Sequence, residues 1–420
     1  MNFYLKKYGF CPPSINNPVN KNTGLIVVIP CYNETGLMTS LSAIYNCKKP
    51  NCSVEVITVI NASERTYQQI KEQNLNTYKA GVKWAKEKNT EALKFHFILK
   101  NDLPKKHAGV GLARKIGMDE AVSRFHSIGI DGVIVCFDAD SKCDSNYLVE
   151  IEKHFDKYPK TPGCSIRYEH PISGNEFDSN IYEGIVNYEL FLRYYNQSLL
   201  YCGLPYAFQT VGSSMAVRSS AYQKQGGMNK RKAGEDFYFI HKIIALGHFS
   251  NLVTTKVIPS PRISDRVPFG TGKAIGDWVN SNLDTYTTYD VRVWQIIKDF
   301  VEMIPLLQKE DFEDTLFFKS ANNKVFIDFL FANNFNDSLT EIRANSTNES
   351  AFIKRFFRWF NAFRVLKSVH HLRDHQYSNK PIFTEAKSMA KLLGFYKREK
   401  MVKELLISYR VVESVLVESG

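Results

Sequence analysis

Two short runs, Leu25–Pro30 and Val133–Phe137, contain no charged or amide side chain, and they restrict the folds open to this chain. A strand that is apolar on both faces must be covered on both faces. That is the condition of a parallel sheet with helices above and below it. Val54–Ile60 and Leu93–Leu99 read as two further strands, rich in β-branched and aromatic residues. Between them lie helix-like segments, Glu64–Gln73 and Tyr78–Lys88. Strands alternating with helices predict an α/β fold with a mixed, mainly parallel sheet and right-handed crossovers. Pro30 cannot donate to a ladder and is expected to end the first strand.

Each predicted strand delivers polar groups at its carboxyl end: Asn33 and Glu34, Asn61 and Ser63, Asn101 and Asp102, Asp138 and Asp140. Ligands of open α/β sheets bind at that edge. Asp138 and Asp140, spaced i and i+2, allow two readings. Asp is common where a strand turns into a loop. Two carboxylates at a crevice rim also repel unless a cation or a sugar hydroxyl lies between them, and hard oxygen ligands suit Mg²⁺ or Mn²⁺.

Five pieces in order resemble family-two glycosyltransferases with the GT-A fold. They are Val28-Ile29-Pro30-Cys31-Tyr32-Asn33-Glu34, the Gly-rich helix start Gly109–Gly117 containing Ala113-Arg114, Asp138-Ala139-Asp140, Val211–Arg218 with Gly226-Gly227-Met228, and Gly234-Glu235-Asp236. The resemblance covers about residues 24–250. It implies a nucleotide-diphosphate sugar as donor, an inverting displacement by an acceptor hydroxyl, and Mn²⁺ or Mg²⁺ as cofactor. Carried over residue by residue, it implies Asp236 as catalytic base with Glu235 next in line. Asp140 would bind metal, and Asp138 metal or ribose. Glu34, Asn61 and Arg114 would contact the nucleotide. The acceptor would be a glycan or a lipid-linked glycan, in surface polysaccharide or glycoconjugate synthesis.

The chain departs from that pattern in places. The second strand ends in Asn61-Ala62-Ser63, where the family often has two acids. Lys115 stands where Asn often follows Ala-Arg. Ser260-Pro261-Arg262 occupies the region where a metal-binding His is often found. Two rival readings follow: a GT-A-fold binding or scaffold protein without turnover, and a sugar-nucleotidyltransferase. The second usually needs a Gly-rich basic loop directly after the first strand, and Cys31–Gly36 is not one. Gly109-x-Gly111 does not follow the first strand, so a dinucleotide fingerprint is not expected.

At 420 residues two domains are expected. The reading is an N-terminal arm over 1–23, the GT-A domain over 24–275 and a basic, aromatic-rich helical domain over 276–420. The eight cysteines show no regular metal spacing and read as reduced cytosolic thiols, with Cys47 and Cys52 the closest pair in sequence. Residues 1–22 have no apolar core stretch, and no apolar run of about 18 residues exists. Cytoplasmic placement is expected.

The net charge is +11, and residues 351–420 hold 14 Lys or Arg against 6 Asp or Glu. Phe352–Leu372 repeats aromatic and aliphatic residues at helical spacing with cations between them. This suggests either a core helix or one lying on an anionic membrane surface. No nucleic-acid recognition motif is present. Pro259–Lys273 is a Pro- and Gly-broken basic segment, read either as an interdomain linker or as a loop closing over a diphosphate. Ile181–Leu199 is a helical apolar stripe, and Tyr182, Tyr194, Tyr201 and Tyr206 are candidate acceptor contacts.

Overall fold

A computed structural model describes residues 2–281, 285–308, 313 and 315–415. The described residues fall into two units. One is drawn from Met1–Asp178, Gln209–Gly276 and Glu413–Gly420, the other from Ser179–Phe208 and Asp277–Val412. One change of unit falls between Gly276 and Asp277. Ser179–Phe208, expected in the first domain, groups instead with the C-terminal helices.

The first unit runs α1 (Phe3–Tyr8), β1 (Thr23–Cys31), α2 (Leu37–Tyr45), β2 (Ser53–Ser63), α3 (Gln68–Lys88), β3 (Leu93–Leu103), α4 (Val110–Ile128), β4 (Val133–Cys136), β5 (Lys142–Cys143), α5 (Tyr147–Lys157) and β6 (Gly163–Tyr168). Helix α6 (Ser179–Tyr201) belongs to the second unit. The first unit resumes with β7 (Met215–Arg218), α7 (Ser219–Lys224), α8 (Glu235–Ile244) and β8 (Ser250–Ile258). The eight strands form one mixed sheet in the order β3-β2-β1-β4-β7-β6-β8-β5. β1 to β4 are mutually parallel, β7 is antiparallel to both neighbours, and β6 and β8 are parallel.

The apolar runs are buried as their patterns predict. Ile26, Val27, Val28, Ile134 and Val135 are fully buried. α4 packs on the sheet through Leu112, Ile116 and Met118. The strand β1 runs one residue past Pro30. The Val28 carbonyl accepts from the Phe137 N–H on the β4 side. Pro30, two residues on, turns its nitrogen to that same side, beyond the last β1–β4 pair at Val28 and Cys136. The β1–β4 ladder stops at this point, where Pro30 has no N–H to donate. The two helix-like segments before β3 are one helix, α3, beginning at Gln68.

The N-terminal stretch is tied into this unit. Tyr4 is buried, and its hydroxyl donates to Asp119 Oδ1 at 2.8 Å. The Ser14 amide donates to Glu120 at 2.7 Å. Lys115, a departure from the resembled pattern, bonds Tyr4 and Asp119. All eight cysteines are free, and the Cys47 thiol faces Cys143, 3.6 Å away, rather than Cys52.

The second unit is helical apart from a short two-stranded ladder, Thr287–Thr288 with Lys380–Pro381. Its core is a cluster of phenylalanine rings. The Phe300 ring centroid lies 5.1 Å from that of Phe326, 5.2 Å from Phe360 and 6.0 Å from Phe356. The predicted helix Phe352–Leu372 is two helices, Glu349–Trp359 and Ala362–His375, broken at Phe360 and Asn361. Phe352, Phe356, Phe360, Val365, Val369 and Leu372 are all buried. Phe352, Phe356 and Phe360 of the predicted stripe are therefore core, whereas Phe363 is exposed. Among the described residues no helix is long and apolar enough to cross a membrane.

Candidate functional site

Arg114 stands at the centre of the sheet's carboxyl edge. It lies in the second turn of α4, where Gly111 lets the helix approach the neighbouring chain closely: a Cβ there would meet the Arg231 carbonyl and the Glu235 side chain. Its guanidinium bridges two acids. Nη2 donates to Asp138 Oδ1 at 2.6 Å, just past β4. Nη1 donates to Glu235, the first residue of α8. Gly212 makes room for the guanidinium, since a Cβ at that position would collide with it. Arg114 is 3 % exposed, and its Nε has no partner. Burial works against its charge, but Asp138 and Glu235 more than offset this, so it stays protonated.

Glu235 and Asp236 open α8 side by side. Burial pushes the Glu235 carboxyl up to about 7, against the pull of Arg114 and with a further push from Asp236. Asp236 is raised as well, chiefly by burial. Glu235 is 2 % exposed and committed to Arg114, whereas Asp236 is only half-buried. One Asp236 oxygen accepts from the Phe237 amide at 2.7 Å.

A second cluster joins Glu34, Asp140, Arg262 and Arg266. Glu34 follows β1 and Asp140 follows β4, adjacent parallel strands. Glu34 Oε1 accepts from the Gly36 amide at 2.9 Å. Arg262, on the segment after β8, donates from Nε to Asp140 Oδ2 at 2.8 Å and from Nη1 to Glu34 at 3.2 Å. Its Nη2 reaches both carboxylates. Arg266 donates to the Tyr32 carbonyl at 2.9 Å and lies 3.4 Å from Glu34. Sequence reasoning marked these arginines only as part of a basic segment. Their partners lie more than 120 residues away in the chain, so no local signal pointed to the pairing.

The expected metal pair does not fit a divalent cation. Asp138 is engaged by Arg114 and Asp140 by Arg262. Among the described residues no group of three or more His, Cys, Asp or Glu side chains is arranged to hold a metal ion. Mg²⁺ at nucleotide sites takes one or two carboxylates together with substrate phosphates and water, and here each of the two carboxylates is already paired with a guanidinium group.

Asn61 is also placed differently from the expectation of a nucleotide contact. It is 3 % exposed, and its amide donates to the Cys31 carbonyl at 3.0 Å. Asn74 accepts from the Asn33 amide and donates to the Asn61 carbonyl and to Asn101. These asparagines lock together the ends of β1, β2 and β3. Three of the four tyrosines proposed for the acceptor, Tyr182, Tyr194 and Tyr206, are buried. In the second unit Tyr194 donates to the Tyr289 carbonyl at 2.8 Å and Tyr206 to the Phe360 carbonyl at 2.7 Å, both from buried rings.

No protein family matches this chain, and no curated protein does. Similar solved structures include S. aureus TarS 1–349 in complex with UDP-GlcNAc. It is 15 % identical, with a TM-score of 0.39, over 93 % of this chain and 90 % of that one. The same fragment in complex with UDP is 13 % identical, with a TM-score of 0.39, over 84 % and 89 %.

Proposed function

We propose that this protein is a glycosyltransferase that moves a sugar from a nucleotide-diphosphate donor to an acceptor hydroxyl with inversion. The observation that carries the reading is the pair Glu235–Asp236 beside Arg114 and Asp138, at the carboxyl edge of a mainly parallel sheet. The ordered motifs that resemble GT-A family-two enzymes converge on these residues.

In this reading Asp236 is the base. It takes the proton from the acceptor hydroxyl as that oxygen bonds to the anomeric carbon and the bond to the diphosphate breaks. Its pKa is raised towards the working range, while Glu235 fixes Arg114. Asp138, half-exposed and held by Arg114, is positioned to meet a donor hydroxyl. The leaving diphosphate gathers negative charge, which cationic side chains at the same edge stabilise.

Turnover of a panel of nucleotide sugars, with and without candidate glycan acceptors, tests the reading. Asp236→Asn should keep donor affinity and lower transfer by about 10²–10⁴-fold. Donor binding without transfer by the parent protein would favour the scaffold alternative. Transfer unaffected in Asp236→Asn would place the base elsewhere.

A further inference from the structure

The cluster around Arg262 takes the proposed function one step further, and the inference about diphosphate rests on that reading. Two carboxylates, Glu34 and Asp140, come from the ends of neighbouring parallel strands. The resemblance implies a divalent cation at Asp140 and a nucleotide at Glu34. Here both acids meet two arginines from one segment. Arg262 spans both acids, with contacts of 2.7 and 2.8 Å to Asp140. Arg266 stands 3.4 Å from Glu34 and 3.9 Å from Asp140.

The charges match. Two guanidinium groups bring the same charge as one divalent ion. Guanidinium also binds carboxylate and phosphate alike, through a planar fork of N–H donors. Both side chains keep an open face: Arg262 is 29 % exposed and Arg266 32 %. Each acid is paired with arginine, while burial and the nearby Asp138 and Glu34 charges still raise the Asp140 carboxyl.

We propose that Arg262 and Arg266 replace the divalent cation, so that this protein binds a nucleoside diphosphate through arginine and without metal. Glu34 and Asp140 are then positioning residues that hold the arginines towards the diphosphate. The segment Pro259–Lys273 presents the cations.

Calorimetric titration of the full chain with UDP, GDP, CDP and dTDP, in EDTA and in Mn²⁺, tests this. The binding nucleotide should show the same affinity in both. Arg262→Ala should weaken it by about tenfold or more in EDTA, the usual loss of charged hydrogen bonds. Arg262→Lys should fall between the two, because it keeps the charge but loses the fork. Titration of Mn²⁺, followed by its paramagnetic resonance signal, should show no binding by the parent and new binding by the double variant Arg262→Ala with Arg266→Ala, which frees both acids. Melting curves confirm that each variant is folded.

Nucleotide affinity that needs Mn²⁺ would overturn the inference and leave the glycosyltransferase reading standing. So would parent Mn²⁺ binding that is lost in Asp140→Asn, or unchanged affinity in Arg262→Ala. No binding of any of the four nucleotides in either condition would overturn both.

Discussion

Glu235 shows how one residue's surroundings set a pH dependence. Burial, opposed by Arg114 and aided by Asp236, holds its proton up to about pH 7. Its ordinary value is about 4.3. A carboxyl raised in the folded state contributes stability below its unfolded value, and that contribution is lost as pH rises through about 7. Asp236 is raised as well, chiefly by burial, so transfer should rise with pH along an acid limb that lies above the ordinary carboxylate range. Glu235→Gln removes the neighbouring charge, so the acid limb of the pH–rate profile should move down. A limb that stays in place would separate the two carboxyls.

Glu55 behaves in the opposite way. Burial raises its pKa, but Arg124 and His96 together outweigh burial and bring it to about 2. Both Glu55 and Arg124 are almost fully buried, and Arg124 Nη2 donates to Glu55 at 2.7 Å. The stability this acid confers is present above its ordinary range and is lost as pH falls towards 2. Glu55→Gln strands the Arg124 charge and should cost about 3–5 kcal/mol at neutral pH, read from urea unfolding.

At the scale of the element, the two helices Glu349–Trp359 and Ala362–His375 show what an amphipathic pattern does and does not settle. Spacing picks out Phe352, Phe356 and Phe360, which are buried, but also Phe363, which is exposed. Contacts with Phe300 and its neighbours decide that the first three are core. Phe356→Ala should therefore destabilise the protein by about 3–5 kcal/mol, as large core aromatics do. Arg358→Glu, on an exposed position of the same helix, should shift stability by about 0.5 kcal/mol or less. Thermal melts of the two variants check the pair. Equal small effects would mean that the aromatic face is not packed.

For the whole molecule, the interruption of the first unit by Ser179–Phe208 matters most. Helix α6 packs against helices Val291–Met303 and Ile382–Leu392 of its own unit. Its buried Glu189 is held by Arg193 and by Arg410 at 2.7–2.8 Å. A chain cut after Gly276 would keep α6 but lose those partners, exposing an apolar stripe and a buried carboxylate. Such a fragment should bind a hydrophobic dye and aggregate, as judged by dye fluorescence and size-exclusion chromatography. A monomeric, dye-silent fragment would show that α6 is stable without its partners.

The sequence by itself determined the parallel strands, because a run with no polar face has only one way to be covered. It also determined that Glu34, Asn61, Asp138 and Asp140 follow strand ends, since polar residues directly after such runs must leave the core. Helical spacing likewise identified the apolar face of α6 and, in the Phe352–Leu372 region, the buried Phe352, Phe356 and Phe360. Only the tertiary structure decided what these groups meet. It turned the Asn61 amide inward to a backbone carbonyl, gave Asp138 to Arg114 and set Arg262 on Asp140 from the far end of the sheet. It also moved α6 into the second unit. Periodicity and chain order act over a few residues. Charge pairing and burial act through space between segments far apart in the chain, and the choice among several available arginines and acids is made only when the fold brings them together.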